Sequence, residues 1–320
     1  MTRILFITST RIGDAVLSSG LLDHLARTYP DARVTVACGP LAAPLFPHAP
    51  GVDEVIVMSK RAGGGHWIDL WRRTVTRRWD IVIDLRASAT SWFLLAGKRH
   101  VKRKASGASA PVHKVEEAAS VIGLSPPPAP TVWSSEAARA KAETLLGGEG
   151  AVLAIAPAAA APFKEWPRER FAALAAHLTG PDGALAGARI AVFGGPGDEA
   201  AAREAVAGLD PDRVIDLTGK LAIDDAAACL EKASLFVGND SGLMHLSAAA
   251  GTPTLGLFGP TDERLYGPWG RQARAIRAGG PADERERARL RFASESLMGD
   301  LELEPVIAAA ESLIEEHVKR

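Results

Sequence analysis

Short apolar runs alternate with amphipathic stretches along most of the chain. Residues 4–7 are apolar throughout, and in the stretch 14–28 the apolar side chains have helical spacing. This alternation recurs along the sequence and is typical of parallel sheets covered by helices. The predicted strands are 4–7, 33–37, 54–57, 81–84, 151–156, 189–193, 214–217, 235–237 and 254–258. The predicted helices are 14–28, 135–146, 168–179, 197–207, 224–233, 242–250 and 304–318.

A proline-rich stretch at 124–130 interrupts this alternation. Its prolines stiffen the backbone and do not fit a regular element. The chain has 320 residues, and a chain of this length usually forms more than a single hydrophobic core. We therefore expect an α/β protein with two Rossmann-like domains, 1–130 and 131–320.

Composition narrows the class of protein. The chain is 47% hydrophobic and 23% charged with a formal net charge of -1, which is ordinary for a folded protein and does not favour nucleic acid as a partner. Residues 1–150 carry 19 Lys or Arg against 13 Asp or Glu, so an anionic partner would prefer this half. No apolar run has the length of a transmembrane segment. Cys38 and Cys229 fit no metal-ligand spacing and are expected in the core, as in a cytoplasmic protein.

The segment 9–14 follows the first predicted strand and opens its helix. Arg11, Gly13 and Asp14 therefore lie where open α/β sheets bind ligands. A purely structural alternative remains, in which Gly13 makes the turn and Asp14 caps the helix.

The segment 236–245 is more informative. A strand runs into a polar turn of Asn239, Asp240, Ser241 and Gly242, and a helix with small residues follows. The free N–H groups of such a helix suit a diphosphate. A helix cap at Asp240 is the alternative. His245 has the helical spacing that puts it on the face of Ser241 and Gly242, where it is either a core residue or a catalytic group.

Residues 239–245, together with 250–253 and 258–261, resemble the signature of glycosyltransferase family 9, the heptosyltransferases of lipopolysaccharide core assembly. The Gly13-Asp14 turn, 164–167 with Phe171, 217–221 and 296–306 also match in order. The resemblance implies a GT-B fold, in which two Rossmann-like domains face each other across a cleft. It also implies that the last helix packs back on the first domain.

The resemblance implies an inverting, metal-independent transfer of a heptose from ADP-heptose to a lipopolysaccharide acceptor, without a cofactor. Asp14 would be the general base that activates the acceptor hydroxyl. Lys164 would neutralise the charge that develops on the leaving diphosphate. The implied donor-binding residues are Glu199, with Asp198 the weaker candidate, Thr218, Gly219, Asp240, Ser241, Gly242, His245 and Thr261.

The acid pair Asp224 and Asp225 is the nearest candidate metal site, but capping of the predicted helix 224–233 explains it better. A structural alternative also exists for the acids at 198 and 199, because the helix dipole stabilises acidic side chains in the first turn of a helix.

Basic stretches at 60–61, 72–78 and 98–104 are either solvated faces or a surface for an anionic lipopolysaccharide precursor at the inner face of the cytoplasmic membrane. Arg61, beside three glycines, is the expected acceptor contact, with Arg11 and Gly13.

One segment departs from the family. Residues 158–161 are all alanine where the family commonly has Gly, Ser or Thr. This leaves open another nucleotide sugar, or a catalytically silent nucleotide-sugar-binding protein on the same fold.

Overall fold

A computed structural model describes residues 1–103, 111–280, 283, 290 and 293–318. Two compact units make up the chain, Met1–Trp133 and Ser134–Arg320. The division lies three residues beyond the expected boundary at 130. Lys104, in the basic stretch 98–104, lies outside the described residues.

The first unit has a five-stranded parallel sheet in the order β3-β2-β1-β4-β5. Its middle strand is fully buried from Ile4 to Ile7, as its apolar run predicts. The strands are β1 Arg3–Ile7, β2 Arg33–Cys38, β3 Val52–Val57, β4 Arg78–Asp84 and β5 Leu95–Val101. The helices are α1 Ile12–Leu17, α2 Ser19–Thr28, α3 Gly65–Thr74 and α4 Lys114–Ser120.

The predicted helix 14–28 is in fact two helices that meet at Ser18. Ser18 Oγ donates to Ala15 O at 2.8 Å and Ser19 Oγ donates to Val16 O at 2.7 Å. Serine hydroxyls that bond to nearby carbonyls favour breaks in a helix, which explains this difference from the prediction.

The second unit has a six-stranded parallel sheet in the order β11-β10-β9-β6-β7-β8. Each described unit is a parallel sheet with helices, so the expectation of two Rossmann-like domains is confirmed. The strands are β6 Val152–Ala156, β7 Arg189–Val192, β8 Val214–Asp216, β9 Leu235–Asn239, β10 Thr254–Phe258 and β11 Ala273–Arg277. The helices are α5 Glu136–Leu146, α6 Arg168–Thr179, α7 Glu199–Ala205, α8 Ile223–Glu231, α9 Gly242–Ala249, α10 Glu263–Tyr266 and α11 Leu303–His317.

The last helix, α11, contributes to the core of the second unit. Val306, Ala310, Leu313 and Ile314 are buried in one cluster with side chains of α6, β9 and β10. The apolar face of α11 thus packs on the second unit.

Both cysteines are buried, as predicted. Burial raises the pKa of the Cys38 thiol to about 12 and that of Cys229 to about 11, so neither is a nucleophile at neutral pH. Within the described ranges, no helix combines the length and apolar character needed to cross a bilayer.

Candidate functional site

The strand order of the second sheet marks one point on its carboxyl edge, the edge where its parallel strands end. The chain starts at β6 and moves outward through β7 and β8, and then β9 to β11 continue on the other side of β6. The order therefore reverses between β6 and β9. Ligands of open α/β sheets bind at such a switch point. The loop 157–166 follows β6, and the turn 239–242 follows β9.

The side chain of Asn239 joins these two segments. Asn239 is fully buried, accepts from Trp166 N at 3.0 Å through Oδ1 and donates to Pro157 O at 2.7 Å through Nδ2. One amide thus holds both ends of the loop that carries Lys164. No role is predicted for Asn239 from the sequence, although Asn239 is the only asparagine of the chain.

Lys164 reaches the turn after β9. Its Nζ lies 2.5 Å from Asp240 Oδ2, with side-chain exposures of 23% and 7%. Two residues predicted from separate motifs are therefore in direct contact. Lys164 thus pairs the largely buried Asp240 carboxylate, and an unpaired buried charge would be costly.

The N-terminus of α9 has no side-chain cap. The N-cap residue is Ser241 and not Asp240, so the capping alternative for Asp240 is wrong. The hydroxyl of Ser241 is buried and has no hydrogen-bond partner among the described residues. The free N–H groups of the first turn and this hydroxyl form a cluster of donors beside the Lys164 ammonium, an arrangement suited to an anion.

Small residues allow α9 to lie close to the sheet. A Cβ on Gly256 of β10 would lie 2.3 Å from Met244 Sδ, a separation that no real contact has. His245 is 5% exposed, which fits the core alternative. Its backbone N lies 3.5 Å from Ser241 O.

The turn after β10 is held from β11. Arg277 Nη2 donates to Gly259 O at 2.6 Å and to Thr261 O at 3.3 Å, and its Nε lies 3.2 Å from Glu263 Oε2. The Thr261 hydroxyl is buried without a partner in the described part of the chain. Arg277 was not predicted, because the arginines at 271, 274 and 277 form no motif that indicates a role.

A third group of predicted residues lies after β7 and β8. Gly219 N donates to Gly194 O at 3.0 Å, so the two turns are bonded together. Gly219 has φ +69°, and a Cβ there would lie 3.1 Å from Glu199 Oε1. Thr218, 2% exposed, precedes it.

The two candidate acids differ in their surroundings. Asp198 Oδ2 accepts from Gly195 N at 2.8 Å and thereby closes the turn. Glu199 is exposed and accepts from Gly197 N at 3.0 Å. Hydrogen bonds from the backbone N–H groups of Glu199 and Gly197 lower the pKa of its carboxyl. Glu199 is thus the ionised acid that faces solvent beside Gly219.

The alanine segment 158–161 offers few donors. Backbone N–H groups are the donors that remain in place of the missing hydroxyls, and one of them, Ala159 N, donates to Glu165 Oε1 at 3.2 Å. Ala158 is buried.

In the first unit, the switch point lies between β1 and β4. Asp14 is in the first turn of α1, and the N-cap of this helix is Arg11 without a side-chain bond, so Asp14 does not cap it. Instead, Asp14 Oδ2 accepts from Ser9 Oγ at 3.3 Å. Thr10 is packed so closely on Gly39 that a Cβ there would lie 2.5 Å from Thr10 Cα. The loop that leads into α1 and Gly13 is therefore closely packed at Thr10.

The loop after β4 lies at the same edge and is held by hydrogen bonds to Asp84. No motif in the sequence predicts this loop as part of the site. Asp84 is fully buried and accepts from Arg86 N at 2.8 Å and from Ser88 N at 2.9 Å. Ala87 has φ +51°, a strained conformation of the kind found at functional sites. Arg86, like Asp14, therefore lies at the carboxyl edge of the first sheet.

Arg61 follows β3 at the same edge. It is 66% exposed, and its Nη1 lies 2.7 Å from Asp69 Oδ2. Arg73 and Arg77, in another basic stretch, contact Glu54 at 3.0 and 2.5 Å. These arginines therefore have local partners, as the solvated-face alternative predicts.

No group of three or more His, Cys, Asp or Glu side chains within the described ranges is arranged to hold a metal ion. Asp224 accepts from Ser135 Oγ at 2.7 Å, and Asp225 lies 2.5 Å from Lys141 Nζ. These acids join α8 to α5.

The comparisons with known proteins agree with this geometry. The profile of glycosyltransferase family 9 (heptosyltransferase) matches residues 112–292. The lipooligosaccharide heptosyltransferase 2 of Haemophilus influenzae is 26% identical over 310 residues, which cover 86% of this chain and 88% of the relative.

Two solved structures show the same fold. The family 9 glycosyl transferase of Veillonella parvula superposes with a TM-score of 0.81 at 22% identity and covers 98% of both chains. The Escherichia coli ADP-heptose lps heptosyltransferase II superposes with a TM-score of 0.77 at 22% identity and covers 99% of both chains.

The profile match covers more than half of the chain, the relative aligns along most of its length, and the fold is GT-B. The chain therefore belongs to glycosyltransferase family 9, the heptosyltransferase family, and is a glycosyltransferase.

Proposed function

We propose that this protein transfers a heptose from ADP-heptose to a lipopolysaccharide inner-core acceptor with inversion at the anomeric carbon. The observation that carries the proposal is the contact of Lys164 with Asp240 beside the uncapped start of α9. The names of a relative and of a solved neighbour, a lipooligosaccharide heptosyltransferase and an ADP-heptose heptosyltransferase, support the choice of donor and acceptor class.

The donor diphosphate is assigned to the cluster formed by Lys164, Ser241 and the first N–H groups of α9. The Asp240 carboxylate alone would repel a diphosphate. An ammonium group has three N–H donors, so Lys164 can keep Asp240 and also contact a phosphate oxygen. As the bond from the anomeric carbon to oxygen breaks, the developing charge on ADP is stabilised by these fixed donors.

The nucleoside is assigned to the group after β7 and β8. The ionised, exposed carboxylate of Glu199 can accept from both hydroxyls of a ribose. Gly219 keeps the space beside Glu199 open, because any side chain there would contact Oε1. Thr218, Gly242, His245 and Thr261 complete the proposed donor site, and Asp198 shapes its turn.

The acceptor chemistry is assigned to the carboxyl edge of the first sheet. Asp14 takes the proton of the acceptor hydroxyl as its oxygen forms the new bond to the anomeric carbon and ADP leaves. A single displacement of this kind inverts the configuration. Gly13, Arg11 and Arg61 are the proposed acceptor contacts, and the positive balance of residues 1–150 suits an anionic lipopolysaccharide precursor. The proposed location is the cytoplasm, at the inner face of the membrane.

One observation favours a second candidate, transfer from another nucleotide sugar. The segment 158–161 has no side-chain hydroxyl, and Ala159 N donates to Glu165. The contacts to the donor at this loop therefore differ from those common in the family.

A transfer assay tests the proposal. Release of the nucleoside diphosphate is measured with ADP-heptose and with ADP-, GDP- and UDP-linked hexoses, with a lipopolysaccharide acceptor and with or without EDTA. We expect turnover with ADP-heptose, an inverted product and no effect of EDTA. Preference for another nucleotide sugar would support the second candidate, and inhibition by EDTA or retention of configuration would contradict the mechanism.

A further inference from the structure

Five exposed apolar side chains lie close together in the sequence and the fold of the first unit. This group lies on α3 and on the residues before and at the start of β5. It contains half of the large hydrophobic side chains that are exposed in the described part of the chain. We call it the aromatic patch: Ile68, 51% exposed, Trp71, 39%, Trp92, 64%, Phe93, 71%, and Leu95, 64%.

The aromatic patch is organised by contacts between its two segments. Trp71 Nε1 donates to Phe93 O at 3.4 Å, so the hydrogen-bonding group of this indole is satisfied while its ring remains partly exposed. A groove of about 260 Å³ lies between the segments, lined by Trp67, Ile68, Trp71, Ala89, Thr90 and Phe93. The exposure is therefore a property of an ordered surface.

Basic side chains accompany the second segment of the aromatic patch. Residues 85–103 contain five Lys or Arg and no Asp or Glu. Arg86 lies over the Trp67 ring with Cζ 5.8 Å from its centroid. Arg99 Nε donates to Ser91 O at 3.1 Å, and Lys98 is exposed on the edge strand β5.

This combination fits one kind of partner better than others. Tryptophan is enriched where proteins meet the interface of a bilayer, and apolar side chains with a basic rim bind surfaces of anionic lipid. A water-soluble protein partner would not require an acid-free segment of this length.

We propose that the aromatic patch docks on an anionic phospholipid bilayer, with Trp92 and Phe93 entering the interface and Lys98 and Arg99 meeting the headgroups. This inference deepens the proposed function, since it names the surface that would bring the enzyme to a membrane-borne acceptor. It can fail or hold independently of the transfer reaction.

The test is flotation of the full chain with vesicles of phosphatidylcholine alone or mixed with phosphatidylglycerol. The variant Trp92→Ser with Phe93→Ser removes the exposed rings. The matched control is Leu41→Ser with Val57→Ser, which removes two apolar side chains of the same unit that are 65% and 48% exposed. Thermal unfolding of each variant establishes that it is folded.

We expect the wild type to bind the phosphatidylglycerol vesicles and to bind phosphatidylcholine weakly. The ring variant should bind about 10-fold less or weaker, and the control within about twofold of the wild type. Lys98→Glu should weaken binding to anionic vesicles by about fivefold or more, since one basic residue contributes about this factor near such a surface. Arg27→Glu, also exposed, should not.

Absence of wild-type binding, equal binding to both kinds of vesicle, or an equal loss in the control would overturn the proposal. So would tryptophan quenching by a dissolved short-chain phospholipid without vesicle binding, because the groove would then hold an acyl chain. ADP release in the absence of vesicles, measured on the same variants, separates failure of this inference from failure of the proposed transfer reaction.

Discussion

Lys164 Nζ lies 2.5 Å from Asp240 Oδ2 at the point where the strand order of the second sheet reverses. The contact joins the loop after β6 to the turn after β9. Asp240 is nearly buried and lies one residue before the N-cap of α9. A cation is thus held beside a helix N-terminus without any added ligand.

The variant Ser241→Ala tests whether the Ser241 hydroxyl binds a ligand or stabilises the start of α9. Its hydroxyl has no partner in the described residues, so we expect the free energy of unfolding to change by less than about 0.5 kcal/mol. ADP affinity should fall about 10- to 100-fold, as for one lost hydrogen bond to a charged group. Chemical denaturation and calorimetric titration measure the two quantities.

The control for this prediction is Ser135→Ala. Ser135 Oγ caps α5 by accepting from Ala138 N at 3.0 Å. Because this hydroxyl also donates to Asp224, its loss should cost at least about 1 kcal/mol of stability and leave ADP affinity unchanged. If Ser241→Ala behaves in the same way as Ser135→Ala, the hydroxyl serves the helix and not a phosphate.

Asn239→Ala should displace the Lys164 loop. It leaves Trp166 N and Pro157 O without their buried partner, and each such group costs about 1–3 kcal/mol. We expect reduced thermal stability together with roughly 10-fold weaker ADP binding, because Lys164 loses its position. Thr252→Val removes another buried hydrogen bond of the same unit, from Thr252 Oγ1 to Leu230 O. Thr252→Val should lower stability without weakening ADP binding. If it weakened ADP binding as much as Asn239→Ala does, general destabilisation would explain the loss of affinity in both variants.

Asp14→Asn tests the proposed base. Since the amide cannot accept a proton, turnover should fall at least about 100-fold, within the usual range for general base catalysis. ADP affinity should stay within about twofold, because the donor is assigned to the other unit. Initial rates of ADP release and calorimetric titration provide the two values. Asp31→Asn, at an exposed acid of the same unit, serves as the control, and turnover near that of the wild type in Asp14→Asn would remove Asp14 from this role.

Glu54 should make the stability of the first unit depend on pH. Burial alone would raise the pKa of Glu54, but hydrogen bonds and charge from Arg77 and Arg73 outweigh it and leave the pKa below its ordinary value. With the folded pKa lowered, the stabilisation is complete above the unfolded pKa of about 4.3 and is lost as the pH falls through the folded pKa.

The corresponding variant is Glu54→Gln. It should lower the free energy of unfolding at pH 7 by about 0.5–1 kcal/mol, a small value because both arginines are partly exposed. Denaturant titrations should show the difference vanishing in acid below the folded pKa. Glu116→Gln, at an exposed acid of α4, should show no such pattern, and a difference for Glu54→Gln that persists in acid would contradict the assignment.

The sequence predicts every interior strand and two of the four edge strands, β3 and β8, but it misses the other two. β1 and β6 are buried along nearly their whole length and are therefore apolar runs. β5 and β11 were not predicted, because an edge strand is covered less and its sequence is mixed. β5 contains Gly97, Lys98 and Arg99, and β11 contains two arginines among its five residues. A pattern of apolar residues cannot identify such strands.

The candidate site shows the same division. Lys164 and Asp240 were found because each belongs to a motif, but no motif could show that they touch. Asn239 was quoted in a motif without a role, since the value of its amide depends on two backbone groups 73 and 82 residues away. Arg277 acts on a turn that only the folded sheet brings near it.

The most direct test of the central claim is calorimetric titration of the wild type and Lys164→Ala with ADP and with AMP. Lys141→Ala is the control, since Lys141 also lies 2.5 Å from its acid partner, Asp225. The account predicts that the wild type and the control bind ADP at least about 10-fold more tightly than AMP, as expected if the second phosphate is held by a charged group. In Lys164→Ala this preference should disappear. Equal affinity of the wild type for the two nucleotides, or an unchanged preference in Lys164→Ala, would contradict a diphosphate site at the start of α9.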